Sequence, residues 1–419
     1  MTVAEPAPPA EIKKRLFYGL SPTSWAIYRA TGWVWWAFER VAFRTRVRGL
    51  DKVDEDGPLL LLSNHASMFD PFWVALHLFR PSRFMAASSL LRMPVVGPYL
   101  KALGSFPKMK YVKDRESMRT LAEHYENGQV VTLFPEGVRS WTGRQVEVQP
   151  GIGRLIKRLD ARVLFGRIRS GYIAHPRWAK YPRWVPIDID YVGPLKYPDH
   201  LTPEEITEDV RQHIKVEPAR DPSRRAFGFR LAEGLPTLLW ACPRCFTPDS
   251  LAVPRRDRDS IACATCGASW RLDIDTVLHG HDGAPTLTVA EAHDAIFDHF
   301  GRPPILDRAA WESDGLIAAH PQVSLHLHPA SGRPKRVATG ALQVGRDGIA
   351  LHHAGGPWRA PFDELLSVST EVAGQLFVRK QGATDRGELF RLELPGQSPY
   401  KWGMLLKGWL EHHRNDQPG

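Results

Sequence analysis

Apolar residues follow two different patterns in the two parts of the chain. In the first part, short apolar runs alternate with longer stretches in which apolar residues recur at helical spacing. The runs predict strands and the stretches predict helices; the strands are 59–62, 130–134 and 185–191, and the helices are 72–79, 116–127 and 202–216. Because strands separated by helices are typical of α/β proteins, we expect an α/β domain, a mixed sheet flanked by helices, over residues 46–216.

The C-terminal part shows short alternating segments interrupted by glycines, which predict a small antiparallel β unit. Residues 398–413 then predict an amphipathic helix, with Ser398 at a suitable N-cap position and Pro399 in the first turn. We therefore expect a small antiparallel β domain ending in a helix over residues 320–415. This order of elements resembles that of pleckstrin-homology-like domains.

The N-terminal region combines a polar tail with an apolar segment. Residues 1–12 are rich in Ala, Pro and Glu and predict a flexible tail. Within an interfacial helical region at 13–45, residues 24–43 predict a helix that is crowded with tryptophans and interrupted by Arg29. Tryptophan favours the membrane interface, so this segment is either a helix lying in a membrane surface or a buried packing helix. Without a run of about 18 uncharged apolar residues, no transmembrane helix is expected.

Composition and charge narrow the picture. The 419 residues are 43% hydrophobic and 24% charged, which is typical of a globular protein of two or three domains and excludes wholesale disorder. Residues 1–240 carry a net charge of +11 and residues 241–419 a net charge of −2, which together give the formal +9. A basic first part predicts a phosphate-bearing partner, either nucleic acid or an anionic membrane surface.

All four cysteines lie in two CxxC pairs separated by seventeen residues: Cys242 and Cys245, Cys263 and Cys266. This spacing predicts four thiolates around one structural zinc ion, in a zinc ribbon over residues 241–275. Two local disulfides would need an oxidising compartment, and a redox CxxC would not explain the second pair. The arginines between the pairs make a protein partner or a nucleic acid possible. Residues 217–240 predict a linker, and residues 276–319 a helical connector.

The segment 63–70, SNHASMFD, follows a predicted buried strand and brings His65 and Asp70 within five positions of each other. Histidine suits general-base work because its pKa lies near neutrality, and an aspartate on the other ring nitrogen would fix its tautomer. Ser67 and Asp70 also form a capping-box pattern, so both a catalytic and a capping role are open.

The segment 134–140, FPEGVRS, follows another predicted strand. It holds Glu136 in a tight turn beside Gly137, and Arg139 offers the planar fork that suits a phosphate. Taken alone, the segment is more typical of an ordinary turn with a surface ion pair.

The pair NHxSxxD and FPEGxRS resembles the glycerolipid acyltransferase family, best known for 1-acyl-glycerol-3-phosphate acyltransferases, over about residues 20–200. The resemblance implies that His65 is the general base and Asp70 its orienting partner. It also implies that the acceptor is bound by a further set of residues: Asn64, Ser67, Lys110, Glu136, Gly137 and Arg139. The family uses no catalytic metal and no covalent intermediate, and its donor is a thioester of coenzyme A or acyl carrier protein.

Three positions depart from the family's pattern: Lys110 and Val138 stand where Arg and Thr are usual, and Gln149 replaces a Lys. All three fall on the presumed phosphate side, so the acceptor is less determined than the chemistry.

The predicted function is transfer of a fatty acyl group to 1-acyl-glycerol-3-phosphate, giving phosphatidic acid, at the cytoplasmic face of an anionic membrane by a peripheral or monotopic protein. The alternatives are another lysolipid or amino-acid-lipid acceptor, or a non-catalytic membrane scaffold that recruits a protein partner through the zinc ribbon. With this resemblance, a nucleic-acid partner is not expected.

Overall fold

The computed structural model describes residues 18–51, 53, 57–91, 93–108, 115–329, 333–370, 375–382 and 387–416. The chain divides into two compact units. Unit 1 comprises Met1–Arg177 and Tyr181–Phe229, and unit 2 comprises Trp178–Lys180 and Arg230–Gly419. The linker predicted at 217–240 is thus divided between the two units.

Unit 1 is built on one seven-stranded sheet. Its strands are β1 (Arg46–Arg48), β2 (Leu59–Ser63), β3 (Ser82–Ala87), β4 (Phe106–Lys108), β5 (Val130–Leu133), β6 (Val163–Ile168) and β7 (Asp188–Leu195). Their order across the sheet is β1, β7, β6, β2, β5, β3, β4, and neighbouring strands are parallel except for β6 and β7. The predicted mixed sheet of an α/β domain is confirmed.

Eight helices accompany this sheet in the described part of unit 1: α1 (Pro22–Ala42), α2 (Asp70–Ala75), α3 (Ser88–Leu91), α4 (Val96–Ala102), α5 (Arg115–Glu126), α6 (Gly151–Leu159), α7 (Gly171–Ala174) and α8 (Pro203–His213). All five residues of β2 are buried, as in a strand covered on both faces. Leu121 of α5, Ile156 of α6 and Ile206 of α8 pack with β2 and β6 in one core. This core fixes the strand ends that carry the candidate site.

Helix α1 presents two different surfaces. Trp35 packs on Phe72, with their ring centroids 4.7 Å apart. On the solvent side an exposed apolar face is formed by Trp33, Val34, Phe38 and Val41. One side of the helix is therefore packed against unit 1, as expected for a packing helix. The other side is apolar and exposed, as expected for a helix that lies in a membrane surface. Among the described residues, none of the helices has the length and apolarity needed to cross a membrane.

Four strands of unit 1, β1, β3, β4 and β6, are not predicted from the sequence pattern. Strand β6 carries Gly166 and Arg167 inside its apolar run. Gly166 is needed because a Cβ there would lie 2.4 Å from Val74 of α2, which crosses the strand closely. The strand predicted at 185–191 begins only at Asp188, since Pro186 has no N–H to donate to a neighbouring strand.

The first sheet of unit 2 has five antiparallel strands: β8 (Leu251–Ala252), β9 (Ser260–Cys263), β10 (Ser269–Leu272), β11 (Val277–His281) and β12 (Leu287–Thr288). The region 276–319, predicted as a helical connector, contains two helices but also the strands β11 and β12, and β11 pairs with β10 and extends the sheet. Three helices of unit 2 are α9 (Leu235–Leu238), α10 (Val289–Phe300) and α11 (Arg308–Asp314).

The second sheet of unit 2 has seven antiparallel strands and is followed by helix α12 (Pro399–Asp416). The strands are β13 (Leu316–His328), β14 (Lys335–Gly345), β15 (Gly348–His353), β16 (Gly356–Pro361), β17 (Leu365–Thr370), β18 (Leu376–Lys380) and β19 (Glu388–Glu393). Trp402 and Leu406 of α12 are buried in one core with the sheet. The small antiparallel β domain is present, starting at Leu316 rather than 320, while its likeness to pleckstrin-homology domains stays a prediction.

Candidate active site

The end of β2 and the turn after it hold a histidine and an aspartate in contact. His65 Nδ1 lies 2.9 Å from Asp70 Oδ2. The same oxygen accepts the backbone N–H groups of Ala66 and Ser67 at 2.7 and 2.8 Å. Asp70 is fully buried at the start of α2. The three hydrogen bonds hold its carboxyl group in place, and the carboxyl group in turn holds the ring of His65 in one orientation. The capping and catalytic interpretations of this segment are thus compatible.

Asn64, one residue before the histidine, fastens β2 to β6. Its Nδ2 donates to the carbonyl of Ile168 at 3.0 Å, and its Oδ1 accepts the N–H of Ile168 at 2.9 Å. A primary amide matches a backbone amide in this two-bond arrangement, and the pair is buried. The position of His65 therefore depends on β6, a strand that the sequence pattern does not predict.

The turn after β5 closes over the histidine from the other side. The ring of His65 stacks on Phe134, with centroids 4.1 Å apart and an interplanar angle of 19°. The backbone N–H of Ser140 donates to the carbonyl of His65 at 2.9 Å. Gly137 allows the tight turn between these contacts, since its φ of +70° strains any residue with a Cβ. The two sequence segments that suggested the site thus form one structure.

Two ionisable groups in this structure are neutral near pH 7. Burial lowers the pKa of His65, although its contact with Asp70 acts in the opposite direction. Burial, followed by the charge of Asp70, raises the pKa of Glu136 to about 8, although the backbone N–H groups of His65 and Val146 donate to its carboxyl group. The site therefore holds a neutral imidazole and a protonated Glu136 at neutral pH.

Arg139 supplies positive charge to the same region. Burial lowers its pKa, opposed by the charge of Asp70, and the charge of Arg139 in turn contributes to the lowered pKa of His65. Its backbone carbonyl accepts a hydrogen bond of 3.0 Å from Arg177, whose guanidinium lies 4.2 Å from the ring centroid of Trp141. A cation beside the base is suited to hold an anionic substrate group there.

Ordinary interactions occupy two side chains for which substrate contacts were predicted. Both amide atoms of Asn64 bind Ile168, and Ser67 Oγ accepts the backbone N–H of Phe69 at 3.2 Å. A substrate-binding role for either residue stays a prediction. His65, Glu136 and Asn64 line one small pocket, together with Ser140, Arg144 and Val216. Lys110 lies outside the described residues.

Comparison with known proteins gives matches in this region. The model of the family described as Acyltransferase matches residues 44–166. A 1-acyl-sn-glycerol-3-phosphate acyltransferase (BAT2, chloroplastic) from Brassica napus is 29% identical over 105 residues, which are 24% of this chain and 30% of that protein. These matches support the glycerolipid acyltransferase family for the part of the chain that they cover.

The match spans less than a third of the Brassica protein's length. Among solved structures, the 1-acyl-sn-glycerophosphate (LPA) acyltransferase PlsC from Thermotoga maritima aligns with a TM-score of 0.35 and 21% identity, over 41% of this chain and 68% of that chain. The family assignment confirms the resemblance carried by the two sequence segments. His65, Asp70 and Glu136 all lie inside the matched part of the acyltransferase domain.

Outside the acyltransferase domain, the four cysteines of unit 2 converge. Their sulfur atoms all lie within 4.8 Å of one another, and they are not joined by disulfides. The Sγ atoms of Cys242 and Cys266 are 3.8 Å apart, and those of Cys245 and Cys263 are 3.7 Å apart. Tetrahedral coordination at about 2.3 Å places sulfurs about 3.8 Å from one another, so the four thiolates fit one metal ion.

The groups around the cysteines also favour thiolates. The backbone N–H of Cys266 donates to Cys263 Sγ at 3.5 Å, and the backbone N–H of Arg244 donates to Cys242 Sγ at 3.4 Å. Hydrogen bonds to sulfur stabilise its anionic, metal-ligating form. The cysteine cluster lies outside the residues matched by the acyltransferase family model, which end at residue 166.

Proposed function

We propose that the protein transfers a fatty acyl group from a thioester of coenzyme A or acyl carrier protein to the free hydroxyl of 1-acyl-glycerol-3-phosphate, giving phosphatidic acid. The observation that carries the proposal is the 2.9 Å contact between His65 Nδ1 and the buried carboxylate of Asp70. It leaves Nε2 of the neutral ring as the basic nitrogen, which is the form that a general base requires. The acyltransferase domain supports the reaction class.

In the proposed reaction, the acceptor hydroxyl gives its proton to Nε2 of His65 as its oxygen attacks the thioester carbonyl. An ester C–O bond forms and the C–S bond breaks. The imidazolium, stabilised by Asp70, then returns the proton to the departing sulfur, so the products are the ester and the free thiol. Stacking on Phe134 keeps the ring in place throughout, with centroids 4.1 Å apart.

Arg139 is proposed to meet the acceptor phosphate. Its charge acts on both His65 and Asp70, so a phosphate paired with it would hold the acceptor beside the base. Glu136 acts differently: as a protonated acid it adds no negative charge beside an anionic acceptor. Lys110, which lies outside the described residues, keeps its proposed role in binding the acceptor on the grounds of the sequence resemblance alone.

The test is acylation of lysophosphatidate by the purified protein, with product lipids measured by mass spectrometry. His65→Ala is expected to lower kcat by about 10²–10⁴-fold, the usual contribution of a positioned base. His200→Ala, at an exposed position of the same unit, is the matched control and should keep full activity. Undiminished turnover in His65→Ala would refute the role assigned to that residue.

A mixed lysolipid pool tests the acceptor. Phosphatidic acid as the main product supports the proposal, whereas another ester would keep the chemistry and change the acceptor to a different lysolipid or amino-acid lipid. No turnover with any acceptor or donor, together with intact vesicle binding, would favour the non-catalytic scaffold.

The exposed apolar face of α1 supports a peripheral association with an anionic membrane surface. Val34 and Val41 are 71% and 82% exposed, which is costly in water and favourable at a lipid interface. Val34→Ser/Val41→Ser is expected to weaken sedimentation with anionic vesicles. Met118→Ser, at another exposed apolar position of unit 1, should leave it unchanged.

For unit 2 we propose that the cysteine cluster binds one structural zinc ion. The four sulfurs supply a complete tetrahedral set, so the ion would have no open position for substrate and would hold the first sheet together. A zinc ribbon of this kind is a candidate surface for a protein partner.

A further inference from the structure

A second cleft lies at the edge of the unit 1 sheet that also carries His65. It has a volume of about 230 Å³ and is lined by four arginines and two aspartates. We call it the arginine cleft; its charged residues are Arg46, Arg48, Arg169, Arg220, Asp188 and Asp221. Because β6 is parallel to β2 and antiparallel to β7, the first residues of β7 lie at the sheet edge where β2 ends. The cleft and the base thus share one edge.

The arginines of β1 retain hydrogen-bond donors. Arg46 lies 3.6 Å from Asp221, and Arg48 lies 3.6 Å from Asp190. At these distances the charged groups form ion pairs but no hydrogen bonds. Both arginine side chains are more than half exposed. Two guanidinium groups spaced i, i+2 on one strand point to the same side. They can therefore bind a common anion with the planar forks that suit phosphate oxygens.

The other charged groups around the cleft leave it positive. Arg169 donates to Asp190 at 2.6 Å, and Arg224 donates to Asp188 at 3.1 Å. With Arg224 and Asp190 added, five arginines face three aspartates. Burial lowers the pKa of Arg224; the charge of Asp188 raises it, and the charges of Arg46 and Arg44 lower it by the repulsion of like charges. An added anion relieves this repulsion.

One segment borders both the arginine cleft and the pocket of the base. Ile214 and Val216 line the pocket with His65, and Ala219 lines the cleft. The backbone N–H of Ala219 donates to the carbonyl of Arg169. Arg169 directly follows Ile168, the last residue of β6, to which the side chain of Asn64 is hydrogen-bonded. From β2 to β1 there are three strand spacings, roughly 14 Å in all. A long flexible arm between a thioester and its phosphates can span that separation.

We propose that the arginine cleft binds the phosphate groups at the nucleotide end of a coenzyme A donor, while the thioester reaches His65. This inference rests on the proposed acyl-transfer function. A concave cleft of about 230 Å³ suits phosphate groups better than the convex surface of a carrier protein. It also assigns donor and acceptor phosphates to different arginines, since Arg139 is not part of the arginine cleft and its charge acts on His65.

The test is calorimetric binding of coenzyme A and of pantetheine to the full-length protein, with no acceptor present. Arg46→Ala/Arg48→Ala is expected to weaken coenzyme A binding at least ten-fold and to leave pantetheine binding unchanged, because pantetheine has no nucleotide phosphates. Arg119→Ala, an exposed arginine on α5, is the matched control and should bind like the wild type. Arg220→Ala, on the other wall of the cleft, provides an independent loss that does not touch strand β1.

Binding without turnover separates this proposal from the proposed function. His65→Ala should lose activity and keep its affinity for coenzyme A. If the wild-type protein binds coenzyme A through the cleft but acylates no acceptor, the proposed acyl-transfer function is contradicted while the proposed binding role of the cleft is supported. Unchanged coenzyme A affinity in both cleft variants overturns the proposal. It is also overturned if these variants lose only binding to phosphatidate vesicles, which would make the ligand a lipid headgroup, or only binding to an acidic carrier protein.

Discussion

In unit 1, His65 and Asp70 are positioned by backbone hydrogen bonds at the end of a fully buried strand. In unit 2, by contrast, the four cysteines accompany a sheet whose strands are two to five residues long, and of the four only Cys263 lies in a strand. The first arrangement needs only the apolar core of the seven-stranded sheet. The second brings four sulfurs within 4.8 Å, which is unfavourable for thiolates unless a cation lies between them.

The comparison indicates that the fold of unit 1 does not depend on the polar residues of the His65 site, whereas the first sheet of unit 2 is expected to depend on the cysteine cluster. Removing a side chain from the His65 site leaves a core of many residues, so the expected loss is of chemistry or of local stability. If the cluster holds the proposed zinc ion, removing a sulfur takes away a ligand on which the small sheet would depend. Four predictions test this contrast, from the largest expected effect to the smallest.

The largest effect is expected for Cys242→Ser. Structural zinc contributes about 10–16 kcal/mol of apparent binding free energy, which equals or exceeds the stability of a typical domain. Loss of one ligand should release the metal and unfold the first sheet of unit 2. The measurements are zinc content by mass spectrometry and hydrogen exchange of the β9 and β10 amides. Thr265→Ser, between two of the ligands, is the control and should retain the metal. A metal-free wild type with protected amides would contradict the prediction.

Asp70→Asn should remove activity and preserve the fold of unit 1. The amide oxygen can replace Oδ2 as the acceptor of the three donors, but it carries no charge to stabilise the imidazolium. The NH₂ group then takes the buried position of Oδ1, which has no hydrogen-bond partner among the described residues. We expect kcat to fall by about 10³–10⁴-fold, or about 4–5 kcal/mol, with an unchanged circular dichroism spectrum. A double variant with His65→Ala should be no worse than His65→Ala alone. Losses that multiply would show that the two residues act independently.

These two predictions rest on features of unequal predictability from sequence. The segments around His65 and Glu136 each follow an apolar run that was readable as a strand, so their meeting at one sheet edge could be expected. The clamp on Ile168 could not, because β6 contains Gly166 and Arg167 and its burial depends on α2 crossing at close range. The cysteine spacing predicted a cluster directly, since metal ligands in pairs are a local pattern.

Other parts of the fold depend on contacts distant in sequence. Strand β1 has three residues, of which the two arginines are exposed, so no periodicity identifies it; its pairing with β7 makes it a strand. The strands β11 and β12 directly precede the helix Val289–Phe300. The strong helical pattern of that segment led to a helical prediction for the whole region, so the two short strands were not predicted. The substrate roles of Asn64 and Ser67 were inferred from the family, and the structure gives both side chains backbone partners.

Asn64→Ala tests whether the clamp carries local stability. It leaves the buried N–H and C=O of Ile168 without their partners, which costs about 1–3 kcal/mol for each group. We expect the free energy of unfolding of unit 1 to fall by about 2–4 kcal/mol in urea titration. Asn127→Ala, at an exposed helix end, is the control and should change it by less than about 0.5 kcal/mol. Equal stabilities for the two variants would show that β2 and β6 are held by the apolar core alone.

The smallest effect concerns the pH dependence of kcat/KM. A histidine with its ordinary pKa of about 6.5 would lose half of its basic form on going from pH 8 to pH 6.5. Because burial lowers the pKa of His65, the basic form persists, and the loss of kcat/KM at pH 6.5 should be less than two-fold. Glu136→Gln should leave this acid limb in place and remove any alkaline limb near the pKa of about 8 of Glu136. An acid limb centred at or above pH 6.5 would contradict the assignment of the base.

The protonated state of Glu136 gives the acyltransferase domain a simple charge balance. At neutral pH the group formed by Asp70, Arg139, Glu136 and His65 sums to zero, with one anion and one cation. In the proposed reaction, the sum becomes +1 when His65 accepts a proton, while negative charge develops on the carbonyl oxygen of the thioester. An ionised Glu136 would cancel that gain. The burial of one carboxyl group thus lets a single proton transfer make the site attractive to the charge that the reaction creates.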